Sequence, residues 1–365
     1  MNAERLHAVL AAVARDLETS GSAATLEQMV VALTNMVNQP GEATYQQQLS
    51  SSLQTLITRL SAAESNTFSA SWRQVLDEAN LSPVLGRQLL ARVQDVLQRN
   101  QITPSLALQE LTQIRDEVNN ANTSVTSLNA GLNSLGIGSD TLAPGETEVG
   151  FIIPRSAVDD SLDRLAPEIV NVRRILVPFV ELVDGSRPPI RVRTLSSSDF
   201  QLFVEIGVGS VWFFAKALDW ITTQYLKVLQ IRVLNQQLRD QGVSDTVLEP
   251  IEQEAKLGME GAIESAIAEL LAVSNISDPG RTNELRTELK NSLRMLANRL
   301  DDGYGVELRA EPTATTPEDE SADTQATTVE VQIRDIREIS AKLSLPRRTG
   351  QRILSLPEGD ESQSA

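Results

Sequence analysis

Residues 200–239 read FQLFVEIGVGSVWFFAKALDWITTQYLKVLQIRVLNQQLR. The segment 202–206 is apolar except for Glu205, which predicts a buried strand. Gly207 and Gly209 follow, and glycine commonly separates a strand from a helix. Beyond Ser210, apolar residues recur at spacings of three and four and form one helical stripe: Val211, Phe214, Leu218, Ile221, Tyr225, Val228 and Leu229. The pattern predicts a strand followed by a long helix that ends near Gly242.

The long helix has three interpretations. Its uninterrupted apolar run covers only 206–215, about half of what a membrane span needs. Lys216 and Asp219 would lie near the centre of such a span, where charge is costly. A buried core helix is therefore favoured. A helix over 206–234 that inserts into a membrane only conditionally, and a helix that fits a partner's groove, remain alternatives.

The composition is that of a soluble globular protein, because the 365 residues are 41% hydrophobic and 22% charged. This length accommodates two or three domains. Aromatic residues make up only 4% of the chain, so aliphatic side chains must fill the core. That balance favours helices with aliphatic stripes.

Charge and cysteine content exclude several classes of function. The formal net charge of −17 disfavours broad nucleic-acid binding, because an acidic chain repels phosphates. The absence of cysteine excludes disulfides, thiolate metal sites and cysteine nucleophiles. The lone histidine, His7, is predicted on the surface of the first helix, and without a second ligand it predicts no metal site. No cofactor is predicted. The first residues lack the apolar core of a signal peptide, which favours a bacterial cytoplasmic protein.

The region 1–135 predicts six helices joined by short polar connections. Ser82 before Pro83, and Thr103 before Pro104, each match a capping residue followed by proline at the first helical position. No fixed repeat period is present, so a helical bundle or array is favoured over a solenoid.

The region after residue 148 predicts a small sheet. Segments 149–153 and 200–206 are apolar, and 190–195 alternates. Segment 175–183 is interpreted as a strand that forms a hairpin with 190–195 across the Asp184-Gly185 turn. One bent helix over 156–183 remains the alternative. Segment 327–333 also alternates and is predicted to pair with a strand at 306–310.

The predicted fold is mostly α, of the α+β class: an N-terminal helical bundle, then a small β-sheet packed with three long helices. Acid-rich, weakly apolar sequence at 311–325 predicts a disordered linker. The predicted domain organisation is a helical domain (1–135), a linker (136–147), an α+β domain with long helices (148–310), an acidic linker (311–325), a strand or helix returning to the α+β domain (326–345) and a flexible tail (346–365).

Two groups of residues are candidate sites. Ser196, Ser197, Ser198 and Asp199 form a loop between two predicted strands, where hydroxyls and backbone N–H groups are able to bind a ligand. A turn whose side chains satisfy nearby backbone groups is the simpler interpretation. The pair Gly207 and Gly209 lacks the third glycine of a dinucleotide fingerprint. Arg173, Arg174, Arg191 and Arg193 form a local basic group within an acidic chain, which indicates a solvated face or a surface for an anion or acidic partner.

The favoured hypothesis is a non-enzymatic interaction or scaffold protein that self-associates through its long helices or binds a protein partner. No catalytic residues are predicted, and the small-molecule ligand is left open. Two alternatives stand beside it: a conditional membrane-active effector using the 206–234 helix, and a cryptic enzyme or ligand-binding protein using the 196–199 loop.

Overall fold

The chain folds into two compact units, Met1–Thr141 and Leu142–Ala365. The computed structural model describes residues 3–196, 200–274, 276, 278–313, 324–343 and 352–358. Over those residues it has eleven α-helices and four strands. The protein is therefore mostly helical with a small sheet, as the sequence predicts.

The first unit is a helical bundle of the predicted helices. Their apolar stripes meet in one core, where Val9, Leu56, Leu89 and Leu111 are fully buried. Pro104 opens the last helix after Thr103, as predicted, whereas Ser82 and Pro83 lie in a short 3-10 turn before the fifth. The helices are α1 (Ala3–Ser20), α2 (Ser22–Asn38), α3 (Ala43–Ser61), α4 (Ala70–Glu78), α5 (Gly86–Arg99) and α6 (Pro104–Ser134).

His7 is buried, so its prediction as a surface residue is wrong. The chain beyond α6 returns over α1, and His7 Nδ1 lies 2.9 Å from the carbonyl oxygen of Ile137. Because a carbonyl only accepts, Nδ1 carries the proton. Arg5, also buried, donates to Asp140 at 3.2 Å. These bonds link residues 130 positions or more apart, which helical periodicity does not reveal.

The second unit contains one antiparallel sheet with the strand order β2-β3-β1-β4. Alternate residues of three strands form its apolar face, among them Phe151, Leu202 and Val306, and pack into the core with the helices. The opposite face carries a charged row, in which Arg191, Glu205, Glu148 and Arg309 are successive cross-strand partners. The strands are β1 (Thr147–Ile153), β2 (Arg191–Ser196), β3 (Phe200–Glu205) and β4 (Gly305–Ala310).

Helices build the rest of the second unit. Three long helices follow β3 nearly in succession, which confirms the predicted packing of a small sheet with three long helices. A further helix, which lies before β2 in the chain, packs against the first of these three. The last helix of the chain packs against that same long helix and against β4. In chain order they are α7 (Leu162–Asp184), α8 (Val208–Asp240), α9 (Asp245–Ala272), α10 (Pro279–Asp301) and α11 (Thr324–Lys342); α7 precedes the three long ones.

The predicted strand at 175–183 is wrong, since these residues belong to α7. Val172, Ile175, Leu176, Phe179 and Val180 follow the spacing of a helix and are all buried. An internal proline such as Pro178 removes one backbone hydrogen bond, and the burial of this face offsets that cost. The Asp184-Gly185 turn is a helix end, with Gly185 in the left-handed conformation at φ 63°. The hairpin partner of β2 is instead β3.

Two predictions about the C-terminal region are also wrong. Segment 327–333 is part of α11, where Ile333, Ile336 and Ile339 pack into the core at helical spacing, and β4 pairs with β1 instead. Tertiary packing overrides the strand preference of its β-branched residues. Residues 352–358, within the predicted flexible tail, place Ile353 and Leu354 in the core. The predicted acidic linker lies outside the described residues from 314 to 323.

Gly150 is needed where β1 passes under an aromatic ring. Its cross-strand partner is Phe203, and a Cβ atom at Gly150 would overlap that ring. We expect Gly150→Ala to destabilise the chain by about 1–3 kcal/mol, since the ring is buried and has little room to move. Gly131→Ala in α6 is the control, because nothing lies within 4 Å of its added carbon. Urea unfolding should show no loss of stability for Gly131→Ala. Equal losses of stability in both variants would contradict the steric explanation.

Asp335 joins α11 to α8. Its Oδ2 accepts from Trp212 Nε1 at 3.0 Å and from Lys216 Nζ at 2.9 Å. Burial alone would raise the pKa of Asp335, but these two donors outweigh burial and lower that pKa below the usual value of an aspartate. Because the folded-state pKa is the lower one, this stabilisation is present above about pH 4 and is lost as pH falls through the folded pKa.

We therefore expect Asp335→Asn to lower the free energy of unfolding by about 1 kcal/mol at pH 7 and by much less near pH 3. Urea unfolding at both pH values, followed by tryptophan fluorescence, measures the difference. Glu254→Gln, at an exposed position in the middle of α9, should change neither value. The same loss at both pH values would mean that the Asp335 carboxylate is not the titrating group.

Candidate interaction site

Helix α8 is the central element of the second unit. It has 33 residues, and eight of the twelve residues 210–221 are buried. Val211, Phe214, Leu218 and Ile221 are fully buried, and Phe214 meets Phe179 edge to face at 5.2 Å. The predicted stripe therefore faces the core, as the buried-helix interpretation requires.

The C-terminal half of α8 has two faces of different character. The inner face continues the stripe through Tyr225 and Val228 and stays buried. On the outer face Leu226, Val233 and Leu234 are 54%, 51% and 47% exposed. A shallow groove of about 520 Å³ lies on this outer face, lined by Leu226, Leu229, Gln230, Val233, Leu234 and Gln237. We call these six residues the α8 strip.

The α8 strip is suited to association rather than to chemistry. Its side chains are aliphatic groups and primary amides, and none of the six titrates. Clustered apolar side chains on a soluble surface indicate a contact site, and amides are able to hydrogen-bond across it. The strip is uncharged in a chain of net charge −17, so it is a place where two acidic molecules approach without direct repulsion.

A buried ion pair supports the strip from behind. Arg232, 3% exposed, lies on the inner face and pairs with Asp301 of α10, which is 0% exposed. Arg232 also donates to the carbonyl oxygen of Asp301 at 3.2 Å. Burial, and then the Asp301 carboxylate, raise the pKa of Tyr225, so its hydroxyl stays protonated. These contacts fix the rotation of α8 and so keep the strip facing outward.

The Arg232 side chain is not fully satisfied. Its Nε and Nη1 atoms, and Asn235 Oδ1 one turn further along α8, find no hydrogen-bond partner among the described residues. The Asn235 amide nitrogen donates to Glu252 of α9 at 3.1 Å. Unmet buried donors are costly, so this region of the core is sensitive to any loss of its remaining partners.

A second, polar cavity of about 290 Å³ lies where β2 begins and β3 ends. Glu146, Asp184, Arg191 and Glu205 are among its lining residues. Ser196, the first residue of the predicted 196–199 ligand loop, lies at the other end of the hairpin, where it pairs with Gln201. Ser197, Ser198 and Asp199 lie outside the described residues, so ligand binding there stays a prediction.

The four arginines of the predicted basic group lie on two different elements. Arg173 is exposed and Arg174 half-buried on α7, whereas Arg191 and Arg193 belong to β2. Arg193 donates to Glu146 at 3.1 Å and lies 3.5 Å from Glu148. The backbone N–H of Ala143, and then the Arg193 guanidinium, donate to the Glu146 carboxylate and lower its pKa. An external anion would have to compete with these carboxylates for Arg193.

Sequence reasoning missed the outer face of α8 although a signal was present. Segment 226–238 has apolar residues on both sides of the helix and no acidic residue before Asp240. One helix cannot bury both sides against a single neighbour, so one side must face solvent or a partner. The burial of Arg232 had no such signal, because its partner Asp301 lies 69 positions away.

Comparisons with known proteins add no functional information. The chain matches no protein-family model, no curated protein and no solved structure. Within the described ranges, none of the helices combines the length and apolar character that a bilayer crossing demands. Over the same residues, no three His, Asp or Glu side chains gather closely enough to hold a metal ion.

Proposed function

We propose that this chain is a non-enzymatic interaction protein that self-associates through the α8 strip. The observation that carries the proposal is the uncharged apolar groove formed by one face of α8. Apolar surface gathered in one place contributes roughly 25 cal/mol for each Å² that association removes from water. Association through the strip therefore removes clustered apolar surface from water on both copies.

The spacing of the strip supports a second copy as the occupant. About a midpoint between positions 231 and 232, Leu226 mirrors Gln237, Leu229 mirrors Leu234 and Gln230 mirrors Val233. An antiparallel two-fold axis through that point brings the strip onto itself, as an isologous interface requires. In this arrangement Leu229 of each copy meets Leu234 of the other. The amides of Gln230 and Gln237 meet the aliphatic side chains of Val233 and Leu226.

Charges at the ends of the strip fit the same arrangement. In an antiparallel pair, Lys227 of one copy lies within about one helical turn of Asp240 of the other. Such rim pairs contribute little affinity but favour the orientation that forms them. A parallel pair would align Lys227 with Lys227 and Asp240 with Asp240.

The membrane-active alternative would use the same helix at greater cost. Release of 206–234 as a unit would expose Phe214 and Leu218, both fully buried, and would separate Arg232 from Asp301. Each fully buried apolar side chain contributes about 1.5–3 kcal/mol, so such a release requires a strong trigger. Self-association through the strip needs no unfolding of the core.

Light scattering on the full chain, from about 5 to 200 µM, tests the proposal. A single-helix contact lies at the small end of interface sizes, so we expect a monomer–dimer equilibrium in the micromolar range. A monomer at every concentration would contradict self-association. Co-sedimentation of that monomer with anionic liposomes would then support the membrane-active alternative.

A further inference from the structure

The segment 352–358 lies against the C-terminal end of α10. It has no regular secondary structure, and residues 344–351 before it lie outside the described part of the chain. Its apolar side chains Ile353, Leu354 and Leu356 are buried in the core, whereas Ser355 and Pro357 are exposed. The segment thus lies on the unit as a peptide with its apolar side chains turned inward.

Side chains of α10, rather than another strand, hold the main chain of this segment. Asp301 Oδ2 accepts from the N–H groups of Ile353 and Leu354, each at 2.7 Å. Asn298 Oδ1 accepts from the N–H of Leu356 at 3.0 Å, and its Nδ2 donates to the carbonyl of Leu356 at 2.9 Å. The Asn298 amide therefore pairs with the peptide backbone as a neighbouring strand would.

Charged contacts at both ends set the direction of the segment. Arg352 lies 3.2 Å from Asp302, just beyond the end of α10. At the other end Glu358 accepts from Arg299 and, at 2.6 Å, from the Asn298 amide. A basic residue at the start and an acidic residue six positions later therefore fit only one orientation.

The site is costly to leave empty. Asn298 and Asp301 are 1% and 0% exposed with the segment in place, so its departure would remove their hydrogen-bond partners and expose the apolar surface beneath Ile353, Leu354 and Leu356 to water. Apolar surface left in water costs roughly 25 cal/mol for each Å². The site consequently favours exchange of one peptide segment for another over an empty state.

We propose that Asn298, Asp301 and the apolar surface beside them form a peptide-binding site, filled here by residues 352–358, which takes the same segment from a second copy in trans. Recognition reads the main chain through Asn298 and Asp301 and selects apolar residues at three positions between a basic and an acidic end. The proposal does not rest on the α8 strip, because strip variants leave every contact of this site in place.

The test cleaves the chain between α11 and residue 351 while residues 352–358 stay bound in the site. A protease recognition sequence replaces residues 345–350 in the full chain, which is folded and then cleaved. A fluorescent peptide of residues 351–360 is added, and anisotropy measures its binding. We expect the cleaved chain to bind this peptide at least about tenfold more tightly than the uncleaved chain, whose own segment competes at an effective concentration of about 1 mM.

Matched variants distinguish this recognition from nonspecific hydrophobic binding of the peptide. Asn298→Ala in the cleaved chain should weaken binding about tenfold, since the backbone of Leu356 loses both partners. Leu354→Asp in the peptide should abolish binding. The proposal is overturned if the cleaved chain binds no peptide or if Asn298→Ala binds as well as the parent. Unfolding of the second unit when the segment departs, seen by circular dichroism, would also overturn it by making the segment an inseparable part of the core.

Discussion

Two aspartates on the α8 strip, Leu226→Asp with Val233→Asp, should abolish the proposed dimerisation and leave a monomer across the whole concentration range. Each substitution removes a half-exposed aliphatic side chain and places an unpaired carboxylate in the interface. Because each side chain is already about half buried in the monomer, the lost apolar burial is about 0.8–1.5 kcal/mol for each site. With desolvation of the added carboxylates, the dissociation constant should become at least about 100-fold weaker.

The control for this variant adds the same charge elsewhere. Leu106 and Leu128 of α6 are 48% and 55% exposed, so Leu106→Asp with Leu128→Asp alters equally accessible aliphatic residues in the other unit. Light scattering and sedimentation velocity should show the parent's dimerisation unchanged in this control. Equal dissociation of both variants would indicate that added negative charge, not the α8 strip, governs association.

The second large effect concerns the buried ion pair. Asp301→Ala should lower the free energy of unfolding of the second unit by about 3–5 kcal/mol, because it leaves the Arg232 guanidinium buried without its partner. The same substitution removes the acceptor for the N–H groups of Ile353 and Leu354. Urea unfolding in a Trp72→Phe background isolates the signal, since Trp212 and Trp220 both lie in the second unit.

Two further variants distinguish a buried charge from simple loss of a contact. Glu284→Ala breaks the exposed pair with Arg281 and should change stability by less than about 1 kcal/mol. The double variant Arg232→Met, Asp301→Ala should be more stable than Asp301→Ala alone, because no unpaired charge then remains in the core. If the double variant is the less stable of the two, the cost does not come from the stranded guanidinium.

The sequence was most informative where a helix packs on one side only. The six helices of the first unit and the stripe of α8 have apolar residues at regular spacing, and the structure buries those residues. The interpretation failed at α7 and α11, where β-branched residues favour a strand and, in α7, two internal prolines argue against a helix. Local preference amounts to fractions of a kcal/mol for each residue, and the burial of a whole face exceeds it.

The candidate site was predictable only in part. The sequence indicated that the long helix of the second unit provides the contact surface, and segment 226–238 already showed apolar residues on both sides. It could not indicate which side is free, because that depends on where α9 and α10 pack. Nor could it place residues 352–358 on α10, since the side chains that hold them lie more than 50 positions earlier.

The amino-acid sequence alone determined the element types of most helices, the acidic character of the chain and the inward stripe of α8, because these follow from spacing and composition over a few turns. The tertiary structure alone decided that Arg232 is buried, that Asp301 neutralises it and that Leu226 and Val233 remain exposed. The physical reason is that burial is a property of packed neighbours. A polar residue on a helix enters the core only where a distant partner supplies the opposite charge and the missing hydrogen bonds.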